Sequence, residues 1–165
     1  MQQSMPSMPM RASNLSDEIE GSAWLKLGNF EGTATETGYE KQFYVLDYQL
    51  YVEKGKAGTK AVFSNLTADL VVDSGAADLM FSDKGGCAAP ITQATAVSTG
   101  GDASDKVDAV LTVLSGTTIE LTGCRIMSAA LRGATDERAV LRLGLSYDKI
   151  KINDTAWDVR LGAAG

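Results

Sequence analysis

From position 23 onward, apolar and polar residues alternate with a period of two in one run after another, the pattern a half-buried β-strand imposes. Ala23, Leu25 and Leu27 alternate with Ser22, Lys26 and Gly28. Across 40–53 the even positions read Tyr44, Leu46, Tyr48, Leu50 and Val52, against Asp47, Gln49 and Glu53 at odd ones, so the even face is expected to meet a core. Within 61–72 the same logic sets Val62, Leu66, Leu70 and Val72 inward and Asn65, Thr67 and Asp69 outward. Further strands are expected at 91–98, 107–114, 117–131, 138–152 and 157–161.

Two of these runs change phase. Ile119 and Leu121 are apolar at odd positions, whereas Cys124 and Ile126 carry the pattern at even ones; one extra residue at Gly123, a β-bulge, reconciles them. In the next run Leu141, Leu143, Leu145 and Tyr147 are odd but Ile150 and Ile152 even, which predicts a bend near Asp148. A single segment, 74–84, reads as a helix, with Asp73 or Ser74 as its N-cap, Leu79 and Met80 toward the core, and Gly85 and Gly86 ending it. The turns fall at 54–60, 100–106, 115–116 and 133–137. Many strands, short connections and one helix predict a mainly β protein: a compact antiparallel β-barrel or sandwich with one short α-helix.

A chain of 165 residues is long enough for one self-sufficient core. Residues 1–21 stand apart: four of the six methionines and two of the three prolines lie there, and no aromatic precedes Trp24. The expected organisation is a flexible N-terminal arm, 1–21, followed by one β-domain, 22–165. The start of the chain has no cationic lead followed by an apolar run, so synthesis without a secretory signal is expected, and no run of 18 apolar residues predicts a membrane helix.

Histidine is absent altogether, which removes Ser-His-Asp and Cys-His catalysis and every imidazole-held metal. The net charge of −6 disfavours nucleic acid, whose phosphates require concentrated Lys and Arg. Cys87 and Cys124 cannot make a four-thiolate zinc site and are expected as buried free thiols, a disulfide being the alternative. Asp73, Asp78 and Asp83 lack the spacing of a calcium loop and read as caps and solvated charges, and the glycines near Lys84 and after residue 99 lack the order of a phosphate-binding loop. Tyr44, Tyr48 and Tyr51 on one strand leave a sugar-binding face open as an alternative to packing. No catalytic group, cofactor site or metal site is expected from these residues.

The order of segments resembles the haemolysin-coregulated protein (Hcp) family, the inner-tube proteins of type VI secretion systems and related contractile injection systems. Trp24-Leu25-Lys26-Leu27-Gly28-Asn29-Phe30-Glu31-Gly32 is similar to that family's opening strand and turn, and the run from Gln42 to Leu50 to its long second strand. Leu66 to Asp73, Ala77-Asp78-Leu79-Met80 and Gly85-Gly86 resemble its strand entering a single helix. Leu121 to Ile126, Leu145 to Ile152 and Trp157-Asp158-Val159-Arg160 resemble its later strands, so the likeness spans 22–162 in order. The first 21 residues are an addition to the family's pattern, and the loop 53–60 is short and charged where the family's is often long.

The resemblance implies a structural, non-enzymatic subunit that forms hexameric rings and stacks them into a hollow tube for effector delivery. It implies partners in a contractile sheath, a baseplate with its spike, and effector proteins, with no nucleic acid and no stable membrane insertion. It further implies assembly in the cytoplasm and exit through the machine itself. On that reading Glu53, Lys54, Lys56 and Lys60 are the candidates for ring stacking, being exposed and charged. The competing expectation is a monomeric β-sandwich module that binds carbohydrate or protein.

Overall fold

The computed structural model describes residues 23–90 and 106–164. The expected arm at 1–21, the strand at 91–98 and most of the turn at 100–106 lie outside the described residues. Among the described residues, eleven strands and one helix follow in chain order: β1 (Ala23–Leu27), β2 (Phe43–Gln49), β3 (Val52–Glu53), β4 (Val62–Phe63), β5 (Leu66–Val71), α1 (Ala76–Phe81), β6 (Val107–Val113), β7 (Thr118–Arg132), β8 (Val140–Ser146), β9 (Lys149–Ile152), β10 (Thr155–Asp158) and β11 (Ala163–Ala164).

All pairings are antiparallel. Neighbours run β7-β6-β1-β2-β5-β8, and β8 pairs back onto β7, which closes a six-stranded barrel. Closure removes the free edges an open sheet would expose. The barrel is filled by side chains: Leu25, Leu27, Phe43, Val45, Leu66, Leu70, Leu111, Leu121, Leu141, Leu143 and Leu145 are essentially inaccessible to solvent. On the other side of β7 the short strands β9, β10 and β11 extend the sheet outward.

Both phase changes in the sequence are structural. Val107 pairs with Cys124 and Ala109 with Leu121, so β7 carries one extra residue, and Gly123 there has φ +67°, the left-handed conformation that glycine adopts most readily. That keeps Ile119, Leu121, Cys124 and Ile126 all buried. The expected bend at Asp148 separates β8 from β9: β8 pairs with the distal half of β7, β9 with its proximal half. A second bulge, at Met127, was not foreshadowed by the pattern.

The run 40–53 is corrected. Phe43 and Val45, at odd positions, are the buried residues of β2, while Tyr44 and Leu46 are only half-buried. The cause is a bulge between Val45 and Asp47, which inserts Leu46 and reverses the phase; beyond it Tyr48, expected inward, stands in register with Ala68 but is itself 37% exposed. The strand also ends at Gln49, and Val52 belongs to a separate strand and is 56% exposed. Val62, expected inward with Leu66, is equally exposed, because 62–63 pairs only with 52–53 as a two-stranded ribbon.

The helix is shorter than expected, and its N-cap is Gly75, without a side-chain cap. Asp73 instead tightens the preceding turn, accepting a hydrogen bond from the Gly75 amide at 2.8 Å and one from the Thr33 hydroxyl at 3.1 Å. Glycine is required at 75 because a Cβ there would meet the Glu31 backbone. Leu79 is fully buried and Met80 packs against the core. Past the helix, the Gly86, Cys87 and Ala88 amides reach back to the Ser82, Leu79 and Met80 carbonyls.

Candidate assembly surface

The β3–β4 ribbon leaves the barrel where β2 ends and β5 begins, and it is the part of the described chain least explained by the core. Val52 stands opposite Phe63 and Glu53 opposite Val62, while Tyr51 and Ser64 exchange hydrogen bonds at the base. Side chains alternate across such a ribbon. Phe63 packs inward on the face it shares with Val52, and Tyr51 (52% exposed) and Val62 (56%) stand on the other. Both faces therefore offer apolar surface to solvent, an arrangement that favours burial against another surface.

The base of the ribbon is pinned to the far end of the chain. The Tyr147 hydroxyl donates to the Ser64 carbonyl at 2.8 Å, and the Lys60 ammonium donates to the Arg160 carbonyl at 2.6 Å. The Lys60 stem lies against Gly162, where a side chain would crowd it. At the tip the Thr59 amide and hydroxyl both reach the Lys56 carbonyl, at 2.8 and 2.6 Å. Of the four charged residues singled out in the sequence, Glu53, Lys54 and Lys56 are exposed on the ribbon, while Lys60 is engaged within its own chain. Lys54 and Lys56 have no ion-pair partner among the described residues.

Tyr147 couples this anchor to pH. Burial pushes its phenol up to about 12 from an ordinary 10.0, and burial, with smaller contributions from Asp108 and Asp148, pushes the Cys124 thiol up to about 12 from 9.0. Both groups stay neutral in the folded chain where the unfolded chain already ionises them. The stability they contribute is complete below about pH 9 and is lost as pH rises toward 12. Tyr147→Phe should make the fall in melting temperature between pH 10 and 12 shallower than in the wild type; an unchanged slope would contradict this account.

The opposite end of the barrel is reached where β1 and β5 finish and β2 begins. There the β1–β2 connection and α1 border a cleft of about 630 Å³ lined by Phe30, Glu31, Asp78, Asp83, Lys84 and Val107, among others. Three carboxylates and one lysine are among its lining residues. Sequence reasoning treated Asp78 and Asp83 as solvated charges along the chain; nothing in linear spacing shows that Glu31, 47 residues before Asp78, shares their cleft.

The three tyrosines do not form a shared face. The Tyr44 hydroxyl donates to Glu36 at 2.8 Å on the outer wall, Tyr48 lies beyond the β2 bulge in register with Ala68, and Tyr51 is on the ribbon. Trp24, expected only as part of a strand, is buried on the outer wall under Tyr39, whose ring stacks on it at 3.9 Å. Cys87 and Cys124 are free thiols, half-buried and buried respectively. Among the described residues no group of His, Cys, Asp or Glu could hold a metal ion, and no helix is long and apolar enough to cross a membrane.

No protein-family model matches the sequence. No curated protein matches it either. Solved structures do match. Hcp1 from Salmonella typhimurium superposes with a TM-score of 0.63 over 87% of this chain and 98% of its own, at 12% identity. A type VI secretion system effector from Yersinia pestis gives 0.61 over 83% of this chain and 99% of its own, at 14% identity. Hcp2 from Salmonella typhimurium gives 0.58 over 84% and 96%, at 13% identity. What is shared at such identities is the fold, and the chain has the fold of the Hcp proteins.

Proposed function

Starting from the Hcp fold, we propose that this chain is the structural inner-tube subunit of a contractile injection machine of the type VI secretion kind. Six copies close a ring, and rings stack into a hollow tube through which effectors are delivered. The observation that carries this reading is the β3–β4 ribbon: a closed barrel already satisfies its own edges, yet it projects a ribbon apolar on both faces and basic at its tip. Ring closure and stacking both need heterologous contacts, one patch of a subunit meeting a different patch of the next. The proposed role is structural, without catalysis or cofactor. The partners that follow are further copies of the chain, a sheath, a baseplate with its spike, and effector proteins. The subunit is made and assembled in the cytoplasm and leaves through its own machine, with residues 1–21 as an arm on the 22–165 domain.

A monomeric sugar-binding module is less well supported, because the bulge at Leu46 disperses the tyrosines that would form its platform. Electron microscopy with native mass determination of the purified protein tests the proposal. Rings with a central hole, singly or stacked, are the expected result, and a monomer at high concentration would overturn it.

A further inference from the structure

We propose that the turn 158–162 is a releasable strap that fixes the angle of the β3–β4 ribbon, and that Asp158 is its positioning residue. The inference goes beyond the tube reading and holds whether or not copies of the chain assemble. It starts from what the ribbon lacks. The ribbon consists of two residue pairs, Val52 with Phe63 and Glu53 with Val62, and a two-stranded ribbon barely holds its own shape in water. At its base Ser64 is bonded to Tyr51 and to the Tyr147 hydroxyl, and Phe63 rests on the core. A base fixes where the ribbon leaves the barrel, whereas its angle takes a second point of attachment. That point is Lys60, whose ammonium donates to the Arg160 carbonyl at 2.6 Å.

The acceptor is placed by the one buried charged side chain among the described residues. Asp158 is 3% exposed, a position that is costly for a carboxylate unless it is paired and hydrogen-bonded. Its Oδ1 accepts from the Leu161 amide at 3.0 Å and its backbone carbonyl from the Gly162 amide at 2.8 Å, two bonds that wind 158–162 into a turn around Arg160. Lys149 and Arg160 approach the other oxygen only loosely, at 3.9 Å each. At Gly162, where φ is +69°, the Lys60 Cγ and Cδ lie 3.2 Å from where a Cβ would stand, so the lysine stem crosses the turn where no side chain is in the way. The two attachments differ in kind. The Tyr147 hydroxyl belongs to a buried residue, whereas Lys60 is exposed and its partner is an uncharged carbonyl, so water competes for that bond. The strap therefore opens more readily than the base. While it is closed the ribbon is already ordered and loses less freedom on meeting another surface.

Hydrogen exchange across 51–64 and 158–163 tests the proposal, with exchange in β1, β6 and β8 as the internal reference for the barrel. Lys60→Met, which keeps the stem and removes the donor, should speed exchange in the ribbon about tenfold and also speed it in the turn, with the reference strands unchanged. Asp158→Ala should speed the ribbon as well, although Asp158 touches no ribbon residue; a residue that merely stabilised its own turn would not move it. The double variant should leave the ribbon no faster than Lys60→Met alone, since both changes open one strap. Wild-type ribbon exchange in Asp158→Ala, or a double variant that multiplies the two effects, overturns the proposal. If Asp158→Ala fails to fold, spin labels decide. They are placed at Lys56→Cys and Lys151→Cys in a Cys87→Ala chain, where the remaining thiol, Cys124, is buried. One narrow distance is expected with Lys60 in place and a broad distribution with Lys60→Met; the same narrow distance in both overturns the strap.

Discussion

Gly123→Val is expected to destabilise the chain by about 2–5 kcal/mol, a large part of the ~5–15 kcal/mol that separates a folded domain from its unfolded state. Two effects combine. The residue sits at φ +67°, where a side chain costs about 1–2 kcal/mol. A Cβ would also lie 2.8 Å from Asp148 Cγ, forcing apart a crowded site at about 1–3 kcal/mol. Asp148 cannot simply move, because its carboxylate holds the Lys106 ammonium at 2.9 Å and its backbone bonds Thr122 and Val159. Urea denaturation of Gly123→Ala, Asp148→Ala and the double variant separates the effects. The double variant should be more stable than the two single losses added together, since removing the carboxylate relieves the crowding. Simple additivity would show that backbone conformation alone is responsible.

Leu143→Ala should cost about 3–5 kcal/mol, in the upper part of the range for buried leucines. The register explains why. Leu143 is flanked by Ala68 on β5 and by Ala129 on β7, so one large side chain fills the barrel at a level where its strand neighbours are small. Truncation leaves alanines on three adjacent strands and a cavity that rigid strands on both sides cannot close. Leu143→Met, which keeps the volume, should cost less than about 1.5 kcal/mol. Equal losses for both substitutions, measured by thermal or urea unfolding, would refute the cavity argument.

The same contrast between local pattern and three-dimensional packing runs through the whole chain. The alternation of Leu141, Leu143 and Leu145, and the phase change around Gly123, were readable because glycine marks the bulge and the buried face is uniformly apolar. The bulge at Leu46 left no such mark. Tyr44, Leu46 and Tyr48 are apolar but none of them is buried, so period alone assigned to the core a face that the bulge divides. Asp73 and Ser74 carry the chemistry of an N-cap, yet the N-cap is Gly75, a position where only a residue without Cβ fits against the Glu31 backbone, and Asp73 accepts from its amide instead.

The candidate surface divides along the same line. The lysines of 54–60 were visible as an exposed charged turn, since nothing in their neighbourhood could bury them. That Lys60 turns back to Arg160 was not visible, because 100 residues separate the two. The acidic cleft was equally hidden, as its carboxylates come from a loop and a helix that meet only in the folded barrel.

By itself the sequence determined the class of the protein. Period-two patterning, one short helical segment and a chain without histidine lead to an antiparallel β-domain with no imidazole chemistry, because periodicity and side-chain inventory are local properties. Tertiary structure alone decided that the sheet closes at β7–β8, that a ribbon apolar on both faces is left outside the barrel, and that three carboxylates gather at the other end. These depend on pairings between strands far apart in the chain, where one inserted residue reverses a face, and such register is set by the packing of the whole barrel.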